Sequence, residues 1–127
     1  MRLALDTNAY TDAANGQAKA VELLRRADEI CLPFIVLAEL RAGFAAGNAG
    51  KKNEAKLTEF LNSPRVRVLY ADEQTTHHYA RIFAFLRSQA APIPTNDLWI
   101  AALVVQYDLL LLSRDAHFDR VPQIIKV

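Results

Sequence analysis

Apolar and polar positions along the chain switch repeatedly between two periods. Residues 2–5 form a short apolar run that stops at Asp6, which predicts a strand. Asp6, Thr7 and Asn8 carry side chains that cap helix starts, so a short helix is predicted to about Ala14, ended by Asn15-Gly16. Residues 17–27 place Ala20, Leu23, Leu24 and Ala27 on one helical face. Residues 29–32 read as a second strand. Pro33 suits the first turn of the next helix, which runs to about Ala46 and is apolar apart from Glu39 and Arg41. A polar turn over 47–52 leads into a polar helix that ends at Leu61, before Asn62-Ser63-Pro64. Residues 65–69 alternate and predict a third strand. Residues 73–90 form a long amphipathic helix with Tyr79, Ile82, Phe83 and Leu86 inward. After a loop at Pro92-Ile93-Pro94, Thr95 or Asn96 is expected to cap a helix to about Tyr107. The aliphatic run 109–112 predicts a fully buried strand, and 124–127 an edge or final strand.

Strands separated by helices predict an α/β fold, a mostly parallel sheet of four to five strands with helices on both faces. Composition agrees with that architecture. A chain of 127 residues that is 52% hydrophobic can bury a core as one domain over 1–127. Fifteen basic and 14 acidic residues leave a net charge of +1, so partners must be sought in local patches rather than in the total. Cys31 is the only cysteine and lies between Ile30 and Leu32, as a small buried hydrophobe would. That fits a reducing, cytoplasmic setting. The apolar stretches around 30–38 and 98–105 are too short to span a bilayer, and the run after Arg2 is too short for a signal peptide. A soluble protein without a membrane partner is expected.

The candidate chemistry lies in the acids. In open parallel sheets, sites form outside the carboxyl ends of the strands. Asp6 ends the first strand, Asp115 follows the run 109–112, and Asp97 sits in the first turn of a late helix. Glu39 interrupts an otherwise apolar helix whose neighbours Ile35, Ala42 and Gly43 offer it no partner. If the four converge, each close pair repels by roughly 2–4 kcal/mol at an effective dielectric of ~20. Protonation or a bound cation relieves such a cluster, and hard oxygen donors favour Mg²⁺ or Mn²⁺. The histidines do not suggest a zinc site, since His77 and His78 are adjacent and point to different faces. Each acid also has an ordinary explanation: Asp6 as a cap, Asp97 beside a helix dipole, Asp115 in a turn, Glu39 facing solvent. Asp12, Asp28, Asp72, Asp108 and Asp119 are assigned to such structural roles. Phe34, Phe83, Phe85 and Trp99 are expected in the core or an interface, and Lys51-Lys52 in a solvated turn. Gly43, Gly47 and Gly50 lack the pattern of a phosphate loop.

Four segments together resemble the PIN-domain nucleases, in particular the VapC-type toxins of toxin–antitoxin pairs. They are Leu5-Asp6-Thr7-Asn8, Ala38-Glu39-Leu40-Arg41, the run from Asn96-Asp97-Leu98 to Ala102, and Ser113-Arg114-Asp115-Ala116-His117-Phe118. Each is short, but their order and spacing span nearly the whole chain. The resemblance implies a Mg²⁺- or Mn²⁺-dependent endoribonuclease that hydrolyses RNA by metal-activated water. It carries Asp6, Glu39, Asp97 and Asp115 over as the catalytic acids, with Asp6, Asp97 and Asp115 on the metal and Asn8 and Ser113 in support. It further implies a homodimer and a small cognate antitoxin. Arg41, Arg87 and Arg114 are candidates for steering RNA phosphates, with surface solubility an equal alternative for each. Two other functions compete. A haloacid-dehalogenase-type phosphatase needs a second aspartate two residues after the first, where this chain has Asn8. A catalytically silent partner-binding module would keep the fold but need not keep all four acids.

Overall fold

A computed structural model describes residues 1–127. The apolar run after Met1 becomes β1 (Arg2–Leu5), whose Leu3, Ala4 and Leu5 are all buried. Burial on both faces is what a central parallel strand requires. Around it lie β2 (Glu29–Pro33), β3 (Val66–Leu69), β4 (Leu110–Leu112) and β5 (Ile125–Lys126). All the pairings are parallel, and the strand order is β3-β2-β1-β4-β5. The chain therefore steps outward from β1 through β2 to β3, then returns to the other side of β1 for β4. The strand order reverses between β1 and β4, and a crevice opens outside the carboxyl ends of strands at such a reversal.

Helices fill the connections: α1 (Thr7–Ala14) and α2 (Ala18–Arg26) after β1, α3 (Phe34–Ala46) and α4 (Gly50–Leu61) after β2, and α5 (Glu73–Ser88) and α6 (Thr95–Gln106) after β3. Thr75, near the start of α5, donates to Gln106 at the end of α6 at 2.6 Å, so the two helices run antiparallel and the end of α5 lies near the start of α6. In α6, Leu98 and every residue from Ile100 to Val104 are buried. One continuous core joins the strands to α3, α5, α6 and Phe118. No helix is long and apolar enough to cross a membrane.

Several local expectations shift. Pro33 lies not in the first turn of α3 but at the end of β2, paired with Leu69, and stands just outside the helix with φ −58° and ψ 140°. Pro94 does the same for α6, so Thr95 opens the helix rather than capping it, and Leu98 N–H donates to the Pro94 carbonyl at 3.0 Å. Proline fixes φ near the helical value while leaving ψ free to remain extended, so it can stand at either junction. Phe83 was expected inward but is 49% exposed. The buried line of α5 runs through Thr75, Ile82 and Leu86, and Phe83 falls on its flank. Phe34 and Phe85 do pack against the core, and Trp99 lies 4.4 Å from the Tyr79 ring.

Helix α5 stops at Ser88, short of the predicted Ala90, because Ala90 turns to φ 51°. Ala91 N–H then reaches the Leu86 carbonyl and Ala90 N–H the Arg87 carbonyl. Those two bonds make a Schellman cap. Helix α6 closes the same way with Asp108 at φ 52° and Leu109 N–H on the Val104 carbonyl. Aspartate tolerates the left-handed region, whereas alanine pays about 1 kcal/mol or more for it. Ala90→Gly is therefore expected to stabilise the fold by about 0.5–1 kcal/mol, the relief of strain exceeding the added freedom of the unfolded chain. Urea unfolding of the two proteins measures it, and a destabilised variant would refute the strain.

Candidate metal centre

Parallel register builds the centre. Leu5 pairs with Leu112 across β1 and β4, so the next residues, Asp6 and Ser113, emerge side by side at the strand reversal. Both are 5% exposed. The Asp6 carboxylate accepts from Ala9 N–H at 2.8 Å, capping α1, and from the Ser113 hydroxyl at 2.5 Å. Asp6 is thus a helix cap and a member of the acidic group at once. Ser113 Oγ in turn accepts from Asp115 N–H at 3.0 Å, which ties the backbone of Asp115 to Asp6.

Asp115 caps the short 3-10 helix Ala116–Arg120 by accepting from His117 N–H at 2.9 Å. That turn swings the His117 ring back over the acids. His117 Nδ1 lies 2.9 Å from Asp97 Oδ2 and 3.1 Å from Asp115 Oδ1. One donor atom from each of Asp97, Asp115 and His117 falls within 4.8 Å of the others, a group able to hold a metal ion. Asp97 reaches it from the first turn of α6, where the helix dipole favours a carboxylate.

Glu39 is half-buried, and its Oε1 accepts from Thr7 Oγ1 at 2.8 Å, so its partner comes from α1 rather than from its own helix. Its charge is felt at Asp97. Burial pushes the Asp97 carboxyl above its ordinary value, the charges of Asp115 and Glu39 push the same way, and the hydrogen bond and charge of His117 pull against them. Burial likewise raises Asp6, opposed by the bonds from Ser113 and Ala9 and reinforced by Asp115. Asp6, Glu39, Asp97 and Asp115 thus form one electrostatically connected group, with Asp97, Asp115 and His117 as its tightest part. The donors fit a hard divalent cation: mostly carboxylate oxygens, partly solvated, with no ammonium or guanidinium among them.

The remaining candidates divide. Asn8 is exposed and makes no side-chain hydrogen bond, while its neighbour Thr7 holds Glu39. Arg114 is paired with Asp12 at 2.9 Å, and Arg41 with Glu54 at 2.9 Å. Arg87 has no carboxylate partner and lines a cavity of about 250 Å³ with Thr95 and Leu98, the residues that bracket the start of α6 on either side of Asp97. Asp119 pairs with Lys126 at 2.7 Å, and the same ammonium donates to the Asp115 backbone carbonyl at 3.2 Å. His117 and Thr7 join the acids without a sequence signal: His117 is two residues from Asp115, but no pattern marks the 3-10 turn that brings its ring back.

A model of the PIN domain family matches residues 3–124. The chain belongs to the PIN-domain family. It is 34% identical over 105 residues to Ribonuclease VapC1 of Haemophilus influenzae, spanning 82% of this chain and 77% of that one. It is 29% identical over 126 residues to Ribonuclease VapC2 of Rickettsia felis, spanning 95% and 92%. Among solved structures it resembles VapBC2 from Rickettsia felis bound to a promoter DNA fragment, with TM-score 0.86 at 28% identity over 100% of this chain and 98% of that one. It also resembles VapBC-1 from nontypeable Haemophilus influenzae, with TM-score 0.87 at 27% identity over 100% and 97%.

The raised carboxyls of this PIN domain give its stability a pH dependence with a definite sign. A buried acid whose folded pKa lies above the ordinary 3.8 binds its proton more tightly when folded. Stability therefore falls as pH rises from that value through the raised one, and the full penalty remains above it. In Asp6→Asn the amide oxygen can still accept from Ala9, and the Ser113 hydroxyl can turn to accept from the amide nitrogen. Metal-free Asp6→Asn is expected to lose less stability than wild type between about pH 4 and about pH 7, and to melt higher at neutral pH. Thermal melts in chelator across that range measure it, and parallel pH profiles would remove Asp6 from the cause.

Proposed function

We propose that this PIN domain is a divalent-metal-dependent endoribonuclease, the toxin of a toxin–antitoxin pair. The observation that carries the reading is the convergence of Asp6, Glu39, Asp97 and Asp115 at the β1–β4 reversal, on a chain whose relatives are named ribonucleases. The solved neighbours named VapBC support a small antitoxin as partner. Family membership and Asn8 at the second position after Asp6 argue against a haloacid-dehalogenase phosphatase.

In this reading Asp97 and Asp115 hold the cation and Asp6 adds a third carboxylate. Mg²⁺ and Mn²⁺ both suit such donors. When bound, the cation would supply Lewis acidity toward a phosphate oxygen and offset the negative charge that develops in the transition state. Ser113 fixes the Asp6 carboxylate and, through Asp115 N–H, the spacing of the two acids. Thr7 holds one Glu39 oxygen, which leaves the other to orient an attacking water. Arg87, unpaired and beside the start of α6, binds a backbone phosphate of the RNA.

Purified protein is expected to cut RNA with Mg²⁺ or Mn²⁺ and not in chelator. Asp6→Asn and Asp97→Asn should each lower the rate by about 100-fold or more. Cleavage that persists in chelator or in both variants would overturn the mechanism. Arg87→Ala should weaken RNA binding and reduce the slope of log affinity against log salt by about 0.7, the share of one phosphate contact on a single strand. Filter binding over a salt series reads this directly, and an unchanged slope removes Arg87 from the RNA surface. Expression without a partner should slow growth, and Asp97→Asn should restore it. Slowed growth that survives Asp97→Asn would separate the toxicity from the metal centre.

A further inference from the structure

We infer that His117 is itself a ligand of the cation, through Nδ1, and that this nitrogen makes the centre select Mn²⁺ over Mg²⁺. The inference rests on the metal site proposed above and concerns one donor that its acidic residues do not include.

The spacing is the first argument. Two donors at right angles on an octahedral cation ~2.1 Å away stand about 3 Å apart. His117 Nδ1 lies 2.9 Å from Asp97 Oδ2 and 3.1 Å from Asp115 Oδ1, so it is placed toward both oxygens as such a neighbour would be. A hydrogen bond has the same length, but one proton on Nδ1 cannot serve two carboxylates equally well. A cation among the three atoms serves all of them.

Charge supplies the second argument. No lysine or arginine pairs with the carboxylate of Asp97 or Asp115. Arg114 is held by Asp12, and the Lys126 ammonium lies on Asp119 and on the backbone carbonyl of Asp115. The two acids therefore face each other with only the imidazole between them. The third argument is placement. The Asp115 carboxylate accepts from His117 N–H, so the acid and the histidine are set by one 3-10 turn and approach as a unit. The His117 side chain is 38% exposed, so the ring and a partly hydrated ion can meet without opening the core.

Donor chemistry then decides the metal. Mg²⁺ prefers oxygen and gives up its water reluctantly, whereas Mn²⁺, which suits the same carboxylates, belongs to the first-row series whose sites take nitrogen as well as oxygen ligands. Removing the ring should cost Mn²⁺ an inner ligand and cost Mg²⁺ little.

Pulsed electron paramagnetic resonance of the full chain loaded with Mn²⁺ tests the assignment. Wild type should show nitrogen-14 modulation from a bound imidazole, and His117→Gln should lose it. By calorimetry, His117→Ala should weaken Mn²⁺ by about 10–100-fold and Mg²⁺ by less than about 3-fold, taking loss of one ligand-sphere group as the scale. Both variants should keep the wild-type circular dichroism spectrum in chelator, since the ring is 38% exposed and lies outside the core. Bound Mn²⁺ without nitrogen modulation, or equal losses for the two metals, overturns the His117 assignment and leaves the acidic site standing. Failure of wild type to bind either metal overturns the site itself, and His117 with it.

Discussion

The pairing of β1 with β4 is the contact on which the centre depends. These strands are far apart in sequence, and their register alone decides what stands beside Asp6. With Leu5 opposite Leu112, the residues that follow are a carboxylate and the hydroxyl that donates to it. A slip of one residue would turn Ser113 to the other face of the sheet and leave Asp6 buried without that donor. The register is protected by burial. Leu3, Leu5, Leu111 and Leu112 are nearly inaccessible, so a slipped strand would have to move its whole apolar set. The chemistry thus borrows its precision from the most rigid part of the molecule.

The other members arrive by different routes and with different tolerances. Asp97 stands on α6, which is buried along most of its length and starts from Pro94, so its position is fixed by packing. Asp115 and His117 stand on a short 3-10 helix, held to the strand by the Ser113 hydroxyl and to the core by buried Phe118. Glu39 projects from α3 and is restrained by Thr7 across a helix interface. Strand, helix and turn each contribute, which is why no single sequence segment resembles a complete site.

What could be read from the chain follows the same division. The buried strands were legible because continuous apolar runs between polar turns leave few alternatives. The acids were legible because each stands where a strand ends or a helix begins, or, for Glu39, where a charge interrupts an apolar face. Side-chain partners were not. Thr7 and Glu39 are 32 residues apart and meet only through the packing of α1 on α3. Nothing in the sequence set His117 apart, since no periodicity marks five residues of 3-10 helix. Phe83 misled because a helical wheel gives a wide apolar face, and only the position of α6 decides which edge of that face is covered. Composition could not tell Arg41, Arg87 and Arg114 apart, and the carboxylate partners of Arg41 and Arg114 could be seen only in three dimensions.

The cluster also sets folding against function. Burial raises both Asp6 and Asp97, which means that their ionised forms are disfavoured in the folded chain without a cation. Apolar residues at those positions would spare the fold that penalty, and surrounding hydrogen bonds offset only part of it. Whatever binds the folded centre and not the unfolded chain returns stability that grows with the logarithm of its concentration over its dissociation constant. A cation held by Asp97 and Asp115 would therefore stabilise the same geometry that it needs for chemistry. The strain falls on the first turns of α1 and α6 and on the 3-10 helix, while the β1–β4 pair beneath them stays apolar and paired. Loss of the cation should loosen the rim of the crevice before it disturbs the sheet, because the repelling groups all lie outside the strand ends.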